Sequence, residues 1–287
     1  MCGFIWQRLP GKMGYALASL IGDLTFLFWR KGRRYTIANM RQVLGPSGPQ
    51  AEVRRLARET MRNYCKTLAD FLRLPALAPA EAAKRVLFDR WDLFERALAP
   101  GKGAIFASVH MGSWDMGGVA LGVKGYPFSV LADAFQKASL NQKVVNTRKE
   151  KGFTIIPAGR VPKAAVAALR KNHILGILVD RPVANGVTVQ FFGTPVSVPA
   201  GAAALALRTG ASILPGCLLR NSDGTISGVV DEPIFPEPSG NQEEDVRSLA
   251  QRIMTAMESK IRLDPGQWYM FRPIWEQKGI SGKERRC

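Results

Sequence analysis

Hydrophobic and polar positions follow two alternating patterns from residue 86 onwards. Short apolar runs predict strands at 103–109, 128–132, 154–157, 174–179, 213–218 and 226–230. Apolar positions at helical spacing predict helices at 91–98, 114–121, 138–150, 162–171, 199–209 and 242–263. Because strands that alternate with helices are typical of the α/β class, we expect a largely parallel central sheet flanked by helices.

The first part of the chain has a different pattern, which predicts helices without strands. A mostly apolar segment of 17 residues, 13–29, contains Asp23 and is followed by a basic cluster at 30–34. Its length is at the lower limit for a membrane span, and a carboxylate within hydrocarbon would be costly. We therefore expect a helix in or against a membrane interface, with a buried core helix as the alternative. No small-x-small cleavage site precedes the basic cluster, which disfavours a signal peptide.

Two further helices are predicted at 34–44 and 50–74. The second has an apolar face and a basic face with four arginines, Arg54, Arg55, Arg58 and Arg62. Such a face is usually solvated, although with residues 30–34 it could rim a membrane-facing entrance. We therefore predict an N-terminal helical, basic, membrane-associating region at 1–85 and an α/β core at 86–287, in one structural domain overall.

The charge changes the range of expected partners. The chain has 40 Lys and Arg against 23 Asp and Glu, a formal net charge of +17. Residues 1–75 contain 13 Lys and Arg against 4 acidic residues, a net charge of +9. A basic surface suits nucleic acid, anionic lipid headgroups, or acidic carriers such as acyl carrier protein and coenzyme A.

The cysteines and histidines do not indicate a disulfide framework or a metal site. Four cysteines are scattered along the chain, at Cys2, Cys65, Cys217 and Cys287. They lack CxxC spacing, which suits reduced thiols in a cytosolic setting. With two histidines and no cysteine cluster, we do not expect a zinc site.

The predicted strand 103–109 leads directly into His110, and Asp115 follows in the first turn of the next helix. Ligands bind at the carboxyl edge of open α/β sheets. We expect Asp115 to accept the Nδ1 proton of His110, so that Nε2 can remove a proton from a substrate hydroxyl. The alternative is structural, with a hydrogen-bonded histidine beside an aspartate that caps a helix.

A second apolar run, 174–179, ends in Asp180 and Arg181 and should reach the same crevice as His110. Structurally, this acid and base could form an internal salt bridge that tethers the loop. The amides of Gly112 and Ser113 are candidates for stabilising an oxyanion.

The spacing His110-x4-Asp115 resembles the signature of the glycerolipid and lysophospholipid acyltransferase superfamily. Four further blocks extend the resemblance: VDRP at 179–182, VQFFGT at 189–194, AGAAALALRTGA at 200–211 and QWYMFRPIW at 267–275. In order and spacing they resemble the branch that contains the bacterial lipid A late acyltransferases and the mycobacterial phosphatidylinositol mannoside acyltransferases. The resemblance extends from about residue 9 to residue 275.

This resemblance implies a membrane-associated O-acyltransferase that moves a fatty acyl chain from acyl-CoA or acyl carrier protein to a hydroxyl of a glycolipid or phospholipid. It implies His general-base catalysis, no metal or redox cofactor, and a location at the cytoplasmic face of the bacterial inner membrane. The block at 179–182 makes Asp180 and Arg181 candidates for positioning acceptor or donor. A Glu-Gly-Thr-Arg block of other superfamily members is absent, which weakens any inference of glycerol-3-phosphate specificity.

The resemblance, for Arg148, and the residue types themselves indicate further candidate substrate contacts outside the His-x4-Asp motif. Arg148 is a candidate phosphate or carboxyl ligand, with Arg160 as the alternative, although both default to surface arginines. Phe191 and Phe192 would line an acyl channel if exposed and would be ordinary core if buried. The aromatic tail 268–275 suits interface anchoring or docking on the domain.

A competing hypothesis is a non-catalytic basic protein that binds anionic membranes or nucleic acid. No motif resembles a nucleic-acid module, and the basic residues gather beside an apolar segment. The Gly-x-Ser-x-Gly elbow and the glycine patterns of P-loop and dinucleotide sites are also missing, which disfavours serine hydrolases and the usual nucleotide enzymes.

Overall fold

The computed structural model describes residues 6–132, 135–157 and 161–275, without the side chains of residues 161 and 162. Its centre is a seven-stranded sheet with the strand order β1-β9-β8-β2-β5-β3-β4. The strands are β1 (Val86–Phe88), β2 (Ala104–Ser108), β3 (Phe128–Ala132), β4 (Thr154–Pro157), β5 (Ile174–Leu178), β8 (Ser212–Arg220) and β9 (Ile226–Val230). A separate hairpin is formed by β6 (Val187–Phe191) and β7 (Thr194–Val198).

Neighbouring strands in the large sheet are parallel except β8 and β9, which pair antiparallel. Helices connect the parallel strands, as crossover connections require. The helices of this part of the chain are α4 (Pro79–Ala83), α5 (Trp91–Leu98), α6 (Trp114–Val123), α7 (Ala138–Glu150), α8 (Val161–Arg170), α9 (Gly201–Thr209) and α10 (Gln242–Leu263). The parallel strands β2, β3, β4 and β5 therefore end at one edge of the sheet.

Strand β2 is the central element, between β5 and β8, and all five of its residues are buried. Its side chains alternate between two hydrophobic clusters. Ile105 and Ala107 belong to one cluster, which extends to α8, α9 and α10. Ala104 and Phe106 belong to the other, which extends to α5 and α6. A strand that packs on both faces explains why the sequence reads as a continuous apolar run.

Three long helices precede α4 and the sheet: α1 (Gly11–Phe28), α2 (Arg30–Leu44) and α3 (Gln50–Arg73). The buried positions of α1 are all small, at Gly14, Ala18 and Gly22. A β-carbon on Gly22 would lie 2.5 Å from Cα of Arg62, so glycine is what permits the close approach of α1 and α3. Small residues on the packed side leave the large apolar residues of α1 on the outer side.

The charge of Asp23 on α1 is directed towards α3. Its carboxylate accepts hydrogen bonds from Arg58 at 2.7 and 2.8 Å and from Arg62 at 2.6 Å for both oxygens. These arginines lower the pKa of Asp23 below its usual range, through the hydrogen bonds first. Among the residues that the structure describes, no helix is sufficiently long and apolar to cross a membrane.

The predicted elements agree closely with the observed ones between residues 91 and 263. The mixed α/β class and the mostly parallel sheet are confirmed. The sequence did not predict β1 or the hairpin of β6 and β7. Strand β1 has only three residues, and the hairpin turns through Phe192 and Gly193, which both adopt positive φ. These short elements depend on pairing partners more than on local pattern. The division at residue 85 stays a prediction.

Candidate active site

His110 and Asp180 meet because they follow neighbouring strands by the same number of residues. Ser108 of β2 pairs with Leu178 of β5 in parallel register. The chain continues in parallel from these two residues, which brings His110 beside Asp180. Nδ1 of His110 lies 2.6 Å from Oδ1 of Asp180, and the backbone N–H of His110 donates to Oδ2 at 2.9 Å. The carboxylate therefore orients both the ring and the backbone of His110.

Asp180 is fully buried and has a third hydrogen-bond donor. The indole Nε1 of Trp268 donates to Oδ2 at 2.9 Å. Burial disfavours the charged carboxylate, but the neighbouring His110 and the hydrogen bonds from His110 and Trp268 outweigh burial and lower the pKa of Asp180. The carboxylate is thus held ionised next to the imidazole, where it can stabilise a protonated ring.

Asp115 does not orient His110, contrary to the expectation from the His-x4-Asp spacing. Its carboxylate accepts hydrogen bonds from Arg148 of α7, at 2.7 Å from Nε and 3.3 Å from Nη2. The guanidinium offers two donors in a planar arrangement that matches a carboxylate, while Nδ1 of His110 is already bound to Asp180. Asp115 and Arg148 therefore brace α6 against α7. This ion pair already engages two nitrogens of Arg148. Substrate binding by Arg148 stays a prediction.

The amides of Gly112 and Ser113 are not available as oxyanion donors. The N–H of Gly112 donates to the carbonyl of Gln267 at 3.1 Å, and the N–H of Ser113 donates to the carbonyl of Leu218 at 3.0 Å. Gly112 has φ +61, and a β-carbon there would overlap the Leu218 carbonyl oxygen at 1.3 Å. The expectation for these amides is therefore wrong. Instead, they fix the turn after His110 to distant parts of the chain.

A buried polar network supports that turn from the side of the N-terminal helices. Asp70 of α3 accepts hydrogen bonds from Ser113 Oγ at 3.1 Å and from Tyr15 of α1 at 2.6 Å, and it pairs with Arg220 of β8. Burial, with the charge of Asp70 next, raises the pKa of Tyr15 to about 12, so its hydroxyl remains a donor. This network, formed by Tyr15, Asp70, Ser113 and Arg220, connects α1 to the residues that follow His110.

Phe191 and Phe192 are core residues rather than exposed channel walls. Their exposures are 0% and 6%. Phe191 packs against Trp268 and Trp275, with ring centroids 6.0 and 5.7 Å apart. Trp275 also donates its indole N–H to the Phe191 carbonyl at 3.2 Å. Because Trp268 donates a hydrogen bond to Asp180, the packing of this aromatic cluster helps to hold Asp180 beside His110.

A row of ring contacts leads from the protein surface to His110. Trp29, at the end of α1, is 44% exposed and lies 5.6 Å from the Phe271 ring centroid. The row continues through Tyr64, Tyr269 and Trp114 to His110, with centroid separations of 5.0, 5.4, 6.0 and 5.9 Å. Tyr269 is buried, and Phe271, Tyr64 and Trp114 are half-buried. We call these residues the aromatic row.

The remaining candidate residues are Arg181, Arg160 and the four cysteines, of which the structure describes Arg181, Cys65 and Cys217. Arg181 is half-buried, and its charge acts on Tyr64, whose pKa is nevertheless raised, mainly by burial. Arg160 lies outside the described residues, as do Cys2 and Cys287. Cys65 and Cys217 are free thiols. Among the described residues, no three His, Cys, Asp or Glu side chains are grouped so that they could hold a metal ion.

The sequence did not reveal the contacts of Trp268 and Asp70. The aromatic tail suggested docking on the domain, and Trp268 does dock, with no exposed surface. Its particular partner, Asp180, is 88 residues away in the chain. Asp70 appeared as one polar residue at the end of a basic helix. A buried position on the apolar face of α3 is the signal that could have marked it as a functional candidate.

Comparison with known proteins identifies the family of this chain. A sequence model described as bacterial lipid A biosynthesis acyltransferase matches residues 1–277. The chain therefore belongs to the bacterial lipid A biosynthesis acyltransferase family, and the resemblance seen in the motif blocks is confirmed. This membership makes the chain an acyltransferase by class, with His110 and Asp180 at the carboxyl edge of its sheet.

Two individual relatives that the chain is similar to are phosphatidylinositol mannoside acyltransferases. The phosphatidylinositol mannoside acyltransferase of Mycobacterium tuberculosis is 31% identical over 245 residues, which cover 83% of this chain and 75% of the relative. The phosphatidylinositol mannoside acyltransferase of Mycolicibacterium smegmatis is 32% identical over 244 residues, which cover 83% of this chain and 77% of the relative.

Proposed function

We propose that this protein transfers a fatty acyl chain from a thioester to a hydroxyl of a glycolipid or phospholipid, with His110 as the general base. The observation that carries the proposal is the fixed pair of His110 Nδ1 and Asp180 Oδ1 at 2.6 Å. A carboxylate that accepts the Nδ1 proton sets the ring tautomer. Nε2 of His110 has no hydrogen-bond partner among the described residues, so it is free to accept a proton.

The reaction needs no protein nucleophile. His110 Nε2 removes the proton of the acceptor hydroxyl while its oxygen attacks the thioester carbonyl. The tetrahedral intermediate collapses and expels the thiolate, which receives the proton from the imidazolium. The products are an ester and a free thiol. Asp180 stabilises the imidazolium between these two proton transfers, since its carboxylate is buried and already bonded to the ring.

The basic surface and the names of the relatives support particular substrates. The net charge of +17 favours an anionic donor such as acyl-CoA or an acidic acyl carrier protein. The relatives in two mycobacterial species are named for acylation of phosphatidylinositol mannosides, and the family is described by lipid A biosynthesis. We therefore propose a lipid A or phosphatidylinositol mannoside type of acceptor.

The outer face of α1 supports a location at the cytoplasmic face of the bacterial inner membrane. Large apolar side chains there are exposed by between 39% and 59% at Met13, Leu17, Leu20, Ile21, Leu24 and Leu27. Their spacing places them on one side of the helix. An exposed apolar strip on a helix that cannot span suits insertion into the interface. We call these residues, together with Phe28 and Trp29, the apolar strip.

The test is transfer by the purified protein and its His110→Ala variant. Acyl-CoA and acyl carrier protein thioesters are supplied with detergent-dispersed lipid acceptors, and both thiol release and acylated lipid are measured. We expect the wild type to form both products and the variant to lose activity by about 10³-fold or more. Arg247→Ala, on the surface of α10, is the control and should retain activity. Transfer by the His110→Ala variant at the wild-type rate would refute the proposal.

A further inference from the structure

The two arginine-rich helices before the sheet differ in how their charges are compensated. On α3, Arg55 binds Glu52 and Glu59, while Arg58 and Arg62 bind Asp23. On α2, Arg30, Arg33, Arg34 and Arg41 form no ion pair with any carboxylate that the structure describes. The sequence explains the difference, because residues 24–51 contain no Asp or Glu. The positive charge of these four arginines is therefore not compensated by any carboxylate of the described residues.

The arginines of α2 line one pocket. An open depression of about 330 Å³ is lined by Ile37, Ala38 and these four arginines, Arg30, Arg33, Arg34 and Arg41. These positions recur at helical spacing, so one face of α2 forms the pocket wall. We call this the arginine pocket. Concentrated guanidinium groups around an open volume of this size are suited to an oxyanion such as a phosphate, which each guanidinium can bind through two N–H donors.

Two of the four guanidiniums are held in place by neighbouring atoms. Nη1 of Arg33 donates to the carbonyls of Phe26 and Leu27 at 3.1 and 2.9 Å. These carbonyls lie in the last turn of α1, where they have no hydrogen-bond donor within the helix. Nη2 of Arg41 donates to Oε1 of Gln50 at 2.8 Å. Arg30 and Arg34 are exposed and have no hydrogen bond within the described part of the chain, and the Arg34 guanidinium lies over the Tyr35 ring, 5.3 Å from its centroid. The pocket thus combines two fixed side chains with two that can close on a ligand.

The arginine pocket begins where the apolar strip ends. Leu27, Phe28 and Trp29 are 57%, 74% and 44% exposed, and Arg30 follows them directly. An apolar surface next to a basic one matches the boundary between acyl chains and headgroups, where phosphates lie just outside the hydrocarbon. A soluble anion would give no reason for the exposed apolar side chains beside the pocket.

We propose that the arginine pocket binds the phosphate of an anionic phospholipid while the apolar strip is inserted in the bilayer. This inference rests on the membrane association in the proposed function and adds a particular lipid contact to it. Bound there, the phosphate would anchor α2 at the headgroup level. The same level contains Trp29, from which the aromatic row leads to His110. The site would therefore orient the catalytic face towards the membrane.

The test compares two double variants that remove the same charge. The pocket variant is Arg30→Gln with Arg34→Gln. It leaves Arg33 and Arg41 unchanged, because these two arginines form hydrogen bonds with neighbouring residues. Arg96→Gln with Arg247→Gln is the matched control, since both residues are exposed and lie on α5 and α10. Flotation is measured with phosphatidylcholine vesicles that contain or lack phosphatidylglycerol, and circular dichroism verifies that each variant is folded.

We expect the wild type to prefer vesicles with phosphatidylglycerol, and the pocket variant to lose roughly 10- to 30-fold in apparent affinity for them, at about one kcal/mol for each basic residue. The control should lose less than threefold. An equal loss in both variants would show that only overall charge matters and would overturn the site. Unchanged binding by the pocket variant would overturn it as well.

Two further measurements separate the pocket from the other proposals. The KM for acyl-CoA and for acyl carrier protein is measured with a detergent-dispersed acceptor, and it should be the same in the wild type and the pocket variant. If the variant instead shows a raised KM for acyl-CoA or for acyl carrier protein, the pocket serves the donor and the lipid assignment is overturned. If the wild type binds anionic vesicles through the pocket but transfers no acyl chain, the proposed function fails while the lipid site stands.

Discussion

Two aspartates near the carboxyl edge of the sheet have opposite roles. Asp115 is five residues from His110 in the sequence and binds Arg148, whereas Asp180 is 70 residues away and binds His110. The side chain of Asp180 has no exposed surface, and that of Asp115 is 12% exposed. The comparison shows that strand register, rather than short spacing along the chain, determines which carboxylate serves the histidine.

The partners of the two aspartates also differ in what they can do. The guanidinium of Arg148 stays charged throughout, so its ion pair with Asp115 does not change during turnover. The imidazole of His110 gains and loses a proton in the proposed reaction, so its interaction with Asp180 strengthens when the ring is charged. In the proposed reaction Asp180 therefore acts on catalysis, whereas Asp115 holds α6 in position through Arg148.

The variant Asp180→Asn tests the difference between the two aspartates, and it is expected to have the largest effect on activity. An amide in place of the carboxylate cannot stabilise the imidazolium, and it can hold the ring in the wrong tautomer. We expect kcat to fall by about 10³- to 10⁴-fold, by analogy with the aspartate of serine proteases. Turnover is measured with acyl-CoA and a detergent-dispersed acceptor, with the folded fraction followed by circular dichroism. A loss below tenfold in a folded variant would assign the supporting role elsewhere.

Trp268→Phe is expected to have the next largest effect. The variant keeps an aromatic ring among Phe191, Phe192 and Trp275 but removes the N–H that donates to Asp180 at 2.9 Å. A hydrogen bond to a charged group contributes about 1.5–3 kcal/mol. We expect kcat to fall by about tenfold or more while KM changes little. Trp275→Phe is the matched control because its indole donates only to a backbone carbonyl, and equal effects in both variants would indicate simple loss of packing.

Asp115→Asn should affect stability more than chemistry. The ion pair with Arg148 is largely buried, so we expect unfolding to become easier by about 1–3 kcal/mol, between the values for surface and buried pairs. Activity below the unfolding transition should fall by less than tenfold. Urea unfolding and turnover are measured on Asp115→Asn, Arg148→Gln and the double variant. A loss of kcat as large as in Asp180→Asn would show that Asp115 participates in the reaction.

The smallest expected effect is a difference between the wild type and Asp180→Asn in how the free energy of unfolding depends on pH. Burial opposes ionisation of Asp180, but His110 and the hydrogen bonds lower its pKa in the folded state. The carboxylate therefore contributes stability that is complete above the unfolded value of about 3.9 and is lost as the pH falls through the lower folded value. Below about pH 4, unfolding of Asp180→Asn should therefore depend less on pH than that of the wild type. Parallel profiles would contradict the lowered pKa.

Local pattern was sufficient for most of the fold and for the position of both members of the dyad that His110 and Asp180 form, although not for their contact. The strand before His110 and the strand before Asp180 were predicted because both are apolar runs buried on two faces. The same reasoning placed both residues at one crevice. Their contact could not be predicted, because it depends on the pairing of Ser108 with Leu178. Register between distant strands leaves no local signal in one sequence.

Other parts of the site depend on contacts that a sequence pattern does not show. The free amides expected at Gly112 and Ser113 are occupied by carbonyls of Gln267 and Leu218, more than 100 residues further on. Phe191 and Phe192 are apolar in sequence whether they line a channel or fill a core, and only the packing of Trp268 and Trp275 decides between the two. Burial of a side chain by distant residues is a tertiary property.

Three consecutive residues near the end of the described chain complete the site. Gln267 accepts the N–H of Gly112, Trp268 donates to Asp180, and the N–H of Tyr269 donates to the carbonyl of His110 at 2.7 Å. During synthesis, His110 and Asp180 leave the ribosome well before these three residues do. A nascent chain therefore contains His110 and Asp180 before the contacts from residues 267–269 can form, and we expect full competence for acyl transfer only when residues 267–269 have joined the fold.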